Sequence, residues 1–488
     1  MKKKVFGVLL LMEAMFMAIS TIVSLCYGEA DLFALLVPTC MAGACGGFLF
    51  WSNRKNKGSL TRKDCYIIIS GAWVVFSLFG MLPFMIYGTT DTVADAFFET
   101  MSGFTTTGAS VLNNIEEQPH GILFWRSVQQ WMGGLGIMLF SIALLPSYNR
   151  NNTQLFSTEA TSVSMRKLRP KTQETARGIF LIYAVLTVVC ALFYFFGPMS
   201  LYDAVCHSMT TVGTGGFSTH QANFAYFNSP YLEYVASVFM FLAGVNFALY
   251  FMASTGDWKV FRINEECHWY GIFTLVLVFV FYILLVENPC HVLTAQMPSS
   301  YEGAFRAALF HVTSIFSSCG YQGTYCDYVG WGAPFWIPTA IMMFSGACAG
   351  SSSGGAKLIR LIIAVKNAGN ELRLHSHPNA ILPLKVSSRL MSMELVVRVL
   401  AFFFIFALLF LAGTFALTLI GMDFDSALGS CLSAISNNGP GFGITGPAVN
   451  YADVPITGKW ILSVLMLIGR LEIYTILLLF TSHFWKLR

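Results

Sequence analysis

The sequence predicts an all-α polytopic membrane protein in which four pseudo-symmetric modules (helix, pore half-helix, helix) surround one pore, with two extra N-terminal transmembrane helices. Three observations predict it. Of 488 residues, 55% are hydrophobic and 11% charged, against roughly 25% charged in soluble globular domains. Ten stretches, near 5–27, 31–51, 65–88, 121–146, 176–197, 231–254, 269–286, 334–365, 395–420 and 459–482, reach the about 20 apolar residues that cross a bilayer. Four times a Gly-bearing polar tetrad stands between two of these stretches: Thr105-Thr106-Thr107-Gly108, Val212-Gly213-Thr214-Gly215, Ser317-Ser318-Cys319-Gly320 and Asn437-Asn438-Gly439-Pro440.

Aligned on Gly108, Gly215, Gly320 and Gly439, the repeats are 107, 105 and 119 residues apart, too long for a solenoid unit and right for a multi-helix membrane module. This divides the chain into two N-terminal helices (1–60) and modules at 61–150, 151–263, 264–388 and 389–488. Lys2, Lys3 and Lys4 precede a long apolar segment without a small-residue cleavage site, which reads as a retained first helix. Cations then cluster at alternate ends of the spans, at 54–63, 166–177, 259–262, 357–389 and 486–488. By the positive-inside rule that end, with both termini, is cytoplasmic. The net charge of +4 thus reflects topology and gives no indication of nucleic-acid binding, although basic loops also suit anionic membrane lipid.

Between the spans of each module, Asp95–Phe104, Asp203–Thr211, Arg306–Phe316 and Asp425–Ser436 are too short to cross. They read as re-entrant half-helices from the outer side, which must be buried in protein or line water. Asp95, Asp203 and Asp425 stand where an N-cap is expected, and Arg306 breaks the pattern. A half-helix ending at the tetrad turns its negative dipole end toward the centre, where it favours a cation. Glycine there permits backbone angles that aim successive carbonyls into a lumen, and a ring of carbonyls with hydroxyls beneath it replaces the hydration shell of a monovalent cation. For any single glycine, a plain turn is the alternative.

Gly346 to Gly355 places Gly346, Gly350, Ser351, Ser352, Ser353, Gly354 and Gly355, followed by Lys357, inside an apolar span. Glycine costs about 1 kcal/mol relative to alanine in a helix interior, so the run predicts a mid-membrane loop; the alternative is a small-residue helix-packing face. Arg470 lies within the last span, where a charge marks function by default, with a pair to Glu472 as the alternative. The 12 cysteines form no CxxC and the 9 histidines no HExxH, so no metal site is expected. Cys290 and Cys326 fall in outer loops, paired or free. His207 and His311, within half-helices, read as hydrogen-bonded structural residues, and Asn151-Asn152-Thr153 as an idle glycosylation triplet.

At several of these motifs the chain resembles the TrkH, KtrB and HKT superfamily of potassium transporters. The resemblance rests on Asp95-Ala96-Phe97-Phe98-Glu99 leading to Thr105–Ala109, on Gln130-Trp131-Met132-Gly133-Gly134-Leu135-Gly136, and on Gly215-Gly216-Phe217-Ser218-Thr219-His220. It continues in Cys348–Lys357 and in Asn437–Gly441 with Gly469-Arg470-Leu471-Glu472, and the two extra N-terminal helices resemble the Trk branch. The resemblance implies a non-enzymatic potassium uptake subunit with a selectivity filter at Thr106, Thr107, Gly108, Val212, Gly213, Thr214, Gly215, Ser318, Cys319, Gly320, Asn437, Asn438 and Gly439. The glycine in every repeat is similar to potassium-selective members, whereas Cys319 and Asn438 stand where Thr107 and Thr214 do. It further implies a gate made by the 346–355 loop, Lys357 and Arg470, a homodimer in the bacterial inner membrane, no cofactor in this chain beyond the permeant potassium ion, and cytoplasmic TrkA-like subunits that bind NAD(H) or ATP/ADP. The alternative is a sodium- or proton-coupled secondary potassium transporter.

Overall fold

The structure, a computed structural model, describes residues 2–55, 61–143, 172–287, 298 and 300–486. Helices α1 (Lys2–Tyr27) and α2 (Leu32–Ser52) form an antiparallel hairpin. Gly7 and Gly46 face the partner backbone so closely that a Cβ on either would come within about 3 Å of it, the small-residue contact by which apolar helices approach in a membrane. The turn between them bears Glu29 and Asp31, whose carboxylates accept the amides of His120 (2.6 Å) and Ile122 (3.1 Å). They thereby cap the first turn of a helix about 90 residues further on, where acids suit the helix dipole.

Each module then repeats one plan. Module 1 is α3 (Arg62–Gly80) with α4 (Leu82–Tyr87), the half-helix α5 (Val93–Phe104) and α6 (His120–Ala143). Module 2 is α7 (Thr172–Phe195), the half-helix α8 (Leu201–Val212), α9 (Pro230–Ala243) and α10 (Phe247–Ser254). After the short α11 (Lys259–Ile263), module 3 is α12 (Glu265–Glu287), the half-helix α13 (Tyr301–Phe316), α14 (Tyr328–Trp331), α15 (Ala333–Ser345) and α16 (Leu358–Ser376). A two-rung hairpin, β1 (Lys385–Val386) and β2 (Arg389–Leu390), leads to module 4: α17 (Met393–Leu419), the half-helix α18 (Phe424–Ser436), α19 (Ile456–Arg470) and α20 (Tyr474–Leu477).

Among the described residues six helices are long and apolar enough to cross a membrane, or eight when each bent pair counts as one span. On α17, Phe404, Leu408, Leu411 and Phe415 form an exposed stripe while Val399, Phe402 and Phe406 are buried, the pattern of a helix with one face to lipid and one to protein. Two spans expected to be continuous are not. The 231–254 span breaks at Gly244–Asn246 with an 86° bend, and the 459–482 span breaks after Arg470 with a 107° bend. Asn246 restarts the first by accepting the Ala248 amide (2.8 Å). In the second, Glu472 and Ile473 take positive φ, 57° and 47°, which is a real outlier for a β-branched residue.

The half-helix starts also differ from expectation. The N-caps are Thr92, Ser200, Ser300 and Asp423, whose side-chain oxygens accept the amides of Asp95, Asp203, Gly303 and Ser426 at 3.0–3.2 Å. Asp95 and Asp203 sit at the third helical position, where each carboxylate accepts the hydroxyl of its cap (both 2.7 Å). These are S/T-x-x-D capping arrangements, and Arg306 is no exception because Ser300 caps its helix. Cys290 and the Asn151 triplet lie outside the described residues; Cys326 is buried with a free thiol that donates to the Ala307 carbonyl.

Candidate functional site

All four half-helices end in the same way. The amides of Thr106, Thr214, Ser318 and Asn437 reach back three residues and those of Thr107, Gly215, Cys319 and Asn438 reach back five, all at 2.9–3.3 Å. This is the Schellman termination, which places its first post-helical residue in the left-handed region. Here that residue is Thr, Thr, Ser and Asn, with φ of 53°, 53°, 59° and 51°. Two β-branched residues held there carry strain of about 1–3 kcal/mol each, of the kind stored at functional sites.

The chain then passes Gly108, Gly216, Gly320 and Gly439, with φ of 83°, 81°, 74° and 96°. A Cβ on Gly108 would come within 3 Å of the Gly215 oxygen, one on Gly216 of Cys319 oxygen, one on Gly320 of Asn438 oxygen and one on Gly439 of Thr107 oxygen. Each repeat thus packs its glycine on the preceding carbonyl of the next, and the fourth returns to the first. The result is a closed ring carrying the carbonyls of Thr107, Gly215, Cys319 and Asn438.

This geometry moves the second tetrad by one residue. Gly216, not Gly215, is equivalent to Gly108, Gly320 and Gly439; Gly215 stands where Thr107 does. Gly213, with φ −67°, is the ordinary helical C-cap and Val212 the last helical residue. Two adjacent glycines satisfy a glycine alignment equally well, and only the left-handed turn before them fixes the register. The cavity outside the ring, about 80 Å³, is lined by Gly108, Gly216, Gly320 and Gly439 with Ser110 and Arg126, room for a few waters or a partly hydrated ion.

Side chains from the second helices brace the ring. Gln130 donates to the Gly215 oxygen (2.7 Å) and accepts the Phe217 amide (3.0 Å). Arg126, which belongs to none of the sequence motifs, binds Glu99 (2.8 Å), donates to the Ser218 carbonyl (3.1 Å) and stacks on Phe217 (4.2 Å). Glu99 in turn accepts the Val111 amide (2.9 Å) and the Ser110 hydroxyl (3.0 Å). The sequence signal that marks it is an arginine inside the 121–146 span. Asn437 donates to Thr107 Oγ1 (3.0 Å) and the Met466 carbonyl, and Asn438 to the Ile315 carbonyl (2.9 Å). Meanwhile Thr106 Oγ1, Asn437 Oδ1 and Asn438 Oδ1 are buried without a hydrogen-bond partner among the described residues. His207 and His311 bond Ser218 (2.9 Å) and Thr339 (3.0 Å), as structural residues do.

Directly under the ring runs the segment that interrupts α15 and α16, with φ of 60°, 78°, 75° and 71° at Gly346, Gly350, Gly355 and Lys357. Ser352 Oγ donates to the Val212 carbonyl (3.0 Å), the Gly354 amide to Ser318 Oγ (2.6 Å) and the Gly355 amide to the Ser436 carbonyl (2.9 Å). Two of those acceptors are the last helical carbonyls of α8 and α18, orphaned by helix geometry. Ser351 bonds Ser353 (2.7 Å), and Lys357 Nζ donates to the Ser353 carbonyl and hydroxyl. Arg470 is buried and donates to the carbonyls of Ser352 (2.7 Å) and Gly133 (3.0 Å). Glu472 is not its partner, being paired with Arg360 (2.7 Å). The structure therefore brings loop, Arg470 and half-helix ends together, with all four modules in contact.

Fold and site define an integral membrane protein with a four-part axial ring of backbone oxygens, the architecture of a cation pathway. The family model described as TrkH, cation transport protein, matches residues 36–486. The chain is 36% identical over 490 residues to the Trk system potassium uptake protein TrkH of Escherichia coli strain K12, covering 99% of this chain and 98% of that one. It is 30% identical over 483 residues to TrkG of the same organism (98% and 97% covered). The crystal structure of the potassium transporter TrkH from Vibrio parahaemolyticus superposes with a TM-score of 0.89 at 32% identity, covering 99% of this chain and 98% of that one. The chain belongs to the TrkH family of cation transport proteins.

Proposed function

We propose that this chain is a potassium uptake subunit of a bacterial inner membrane, both termini cytoplasmic, conducting potassium passively through the axial ring. The observation that carries the reading is the ring closure: four left-handed turns and four glycines present the carbonyls of Thr107, Gly215, Cys319 and Asn438 to one axis. Such carbonyls substitute for ion hydration, and the half-helix C-termini add favourable potential for a cation. Thr106, Thr107, Gly108, Thr214, Gly215, Gly216, Ser318, Cys319, Gly320, Asn437, Asn438 and Gly439 form the selectivity filter. The 346–355 loop, Lys357 and Arg470 form the gate. The Glu99 carboxylate is engaged by Arg126, the Ser110 hydroxyl and the Val111 amide, a bracing role that the passive reading accommodates. In keeping with the Trk-branch resemblance of its motifs, the chain works as a homodimer with a cytoplasmic nucleotide-binding partner, and it needs no cofactor besides the permeant ion.

The test is tracer rubidium flux into liposomes holding the purified chain, under a potassium gradient with sodium and proton gradients collapsed. Flux that persists and resists sodium competition supports the passive pore. Flux that requires either gradient overturns it in favour of coupled transport.

A further inference from the structure

The intramembrane loop is also held from a side that neither the ring nor Arg470 accounts for. Glu266, the second residue of α12, is 2% exposed, and one of its oxygens, Oε1, accepts two amides at once: Ala349 (2.7 Å) and Ile359 (3.2 Å). Ala349 immediately precedes the Gly350–Gly355 run, and Ile359 lies in the first turn of α16. The N-cap of α16, Lys357, makes no side-chain cap bond. The first amides of a helix need outside acceptors, and a negative group is favoured there; here the acceptor comes from another helix. A single oxygen thus joins both flanks of the glycine–serine segment. The preceding residue faces away: Glu265 pairs with Lys366 and accepts the Ser387 amide (3.0 Å), while its own amide donates to Ser387 Oγ (3.1 Å). These contacts with α16 and with the turn between β1 and β2 fix the start of α12, and with it the height of Glu266.

We propose that Glu266 is a positioning residue that latches the intramembrane loop across the pathway by holding the Ala349 and Ile359 amides on one carboxylate oxygen. The proposal deepens the gate reading and rests on it. Losing that oxygen strands two buried amides together, each of which then gains by moving to water or to another acceptor. The loop is free to leave the axis when they do. Because a single oxygen serves both, an uncharged amide oxygen at the same place is a sufficient substitute.

The experiment uses the full chain in liposomes, reading rubidium flux and modification of Cys348 by a charged thiol reagent, scored by peptide mass. Cys348 is 1% exposed and adjoins Ala349. Glu266→Ala is expected to raise flux about tenfold and expose Cys348, whereas Glu266→Gln stays near wild type on both readouts. Where the alanine variant does not fold, Glu266→Asp, one methylene short of both amides, carries the same expectation. Wild-type flux and a protected Cys348 in the alanine or aspartate variant overturn the latch, as does a glutamine variant that leaks like alanine. Deletion of Gly350–Gly355 separates the two ideas: a leaky deletion beside a tight Glu266→Ala defeats the latch alone, and a tight deletion defeats the gate.

Discussion

Replacing Gly216 by alanine tests the register of the ring. The new methyl would meet a backbone oxygen, that of Cys319, and the residue would have to keep φ at 81°. Left-handed backbone costs a non-glycine residue about 1–2 kcal/mol, and overpacking a tight site about 1–3 kcal/mol more. The ring must absorb about 2–5 kcal/mol by shifting the Cys319 carbonyl. At about 1.4 kcal/mol per tenfold, a loss of thirtyfold or more in potassium-over-sodium flux is expected. Gly215→Ala differs in kind, because the three atoms nearest its methyl would all belong to the Gln130 side chain and none to the backbone of the next repeat. Gln130→Ala removes that obstacle along with the brace, so the comparison is made in the Gln130→Ala background, as a double-mutant cycle. There Gly215→Ala should change rubidium flux under sodium competition less than threefold, while Gly216→Ala keeps its full effect. A Gly215→Ala loss larger than that of Gly216→Ala in this background would refute the register.

Three further outcomes follow from the same contacts. Arg470→Ala removes a buried cation and the tie between Ser352 and Gly133, and should raise rubidium flux severalfold; unchanged or lower flux in folded protein contradicts its role as a barrier. Glu99→Gln or Arg126→Met alone strands a buried charge or its partner, at about 3–5 kcal/mol, and should lower the melting temperature in detergent more than the double variant does. The Asp95–Lys459 pair (2.6 Å) joins half-helix α5 to α19 of module 4, so Lys459→Met should destabilise the protein and the exchange Asp95→Lys with Lys459→Asp should recover part of the loss, read by the same melt.

The sequence carried the architecture because its strongest signals are physical necessities. Twenty-residue apolar runs, alternating cationic ends and four glycine-bearing interruptions are compatible with few arrangements in lipid. What it hid were features that hydropathy does not mark. The bend at Gly244–Asn246 and the one after Arg470 occur within runs that keep a spanning hydropathy despite Asn246, Arg470 and Glu472, so only the backbone reveals them. The caps Thr92 and Ser200 were masked by the louder charges of Asp95 and Asp203 three residues on. Gly215-Gly216 presents two candidates for one place, and the deciding quantity, φ at Thr214, is three-dimensional. Arg126 and Glu266 were legible as charges within or beside spans; their partners, the Ser218 carbonyl and the Ala349 and Ile359 amides, lie 83 to 93 residues away in sequence for Glu266 and 92 for Arg126.

The central claim is that the carbonyls of Thr107, Gly215, Cys319 and Asn438 enclose a dehydrated monovalent cation. Anomalous scattering from crystals grown in thallium or rubidium tests it most directly. A peak on the axis within coordination distance of those four oxygens, abolished by Gly216→Ala, is the predicted result. A vacant ring, or a peak held only by side chains elsewhere, would contradict it.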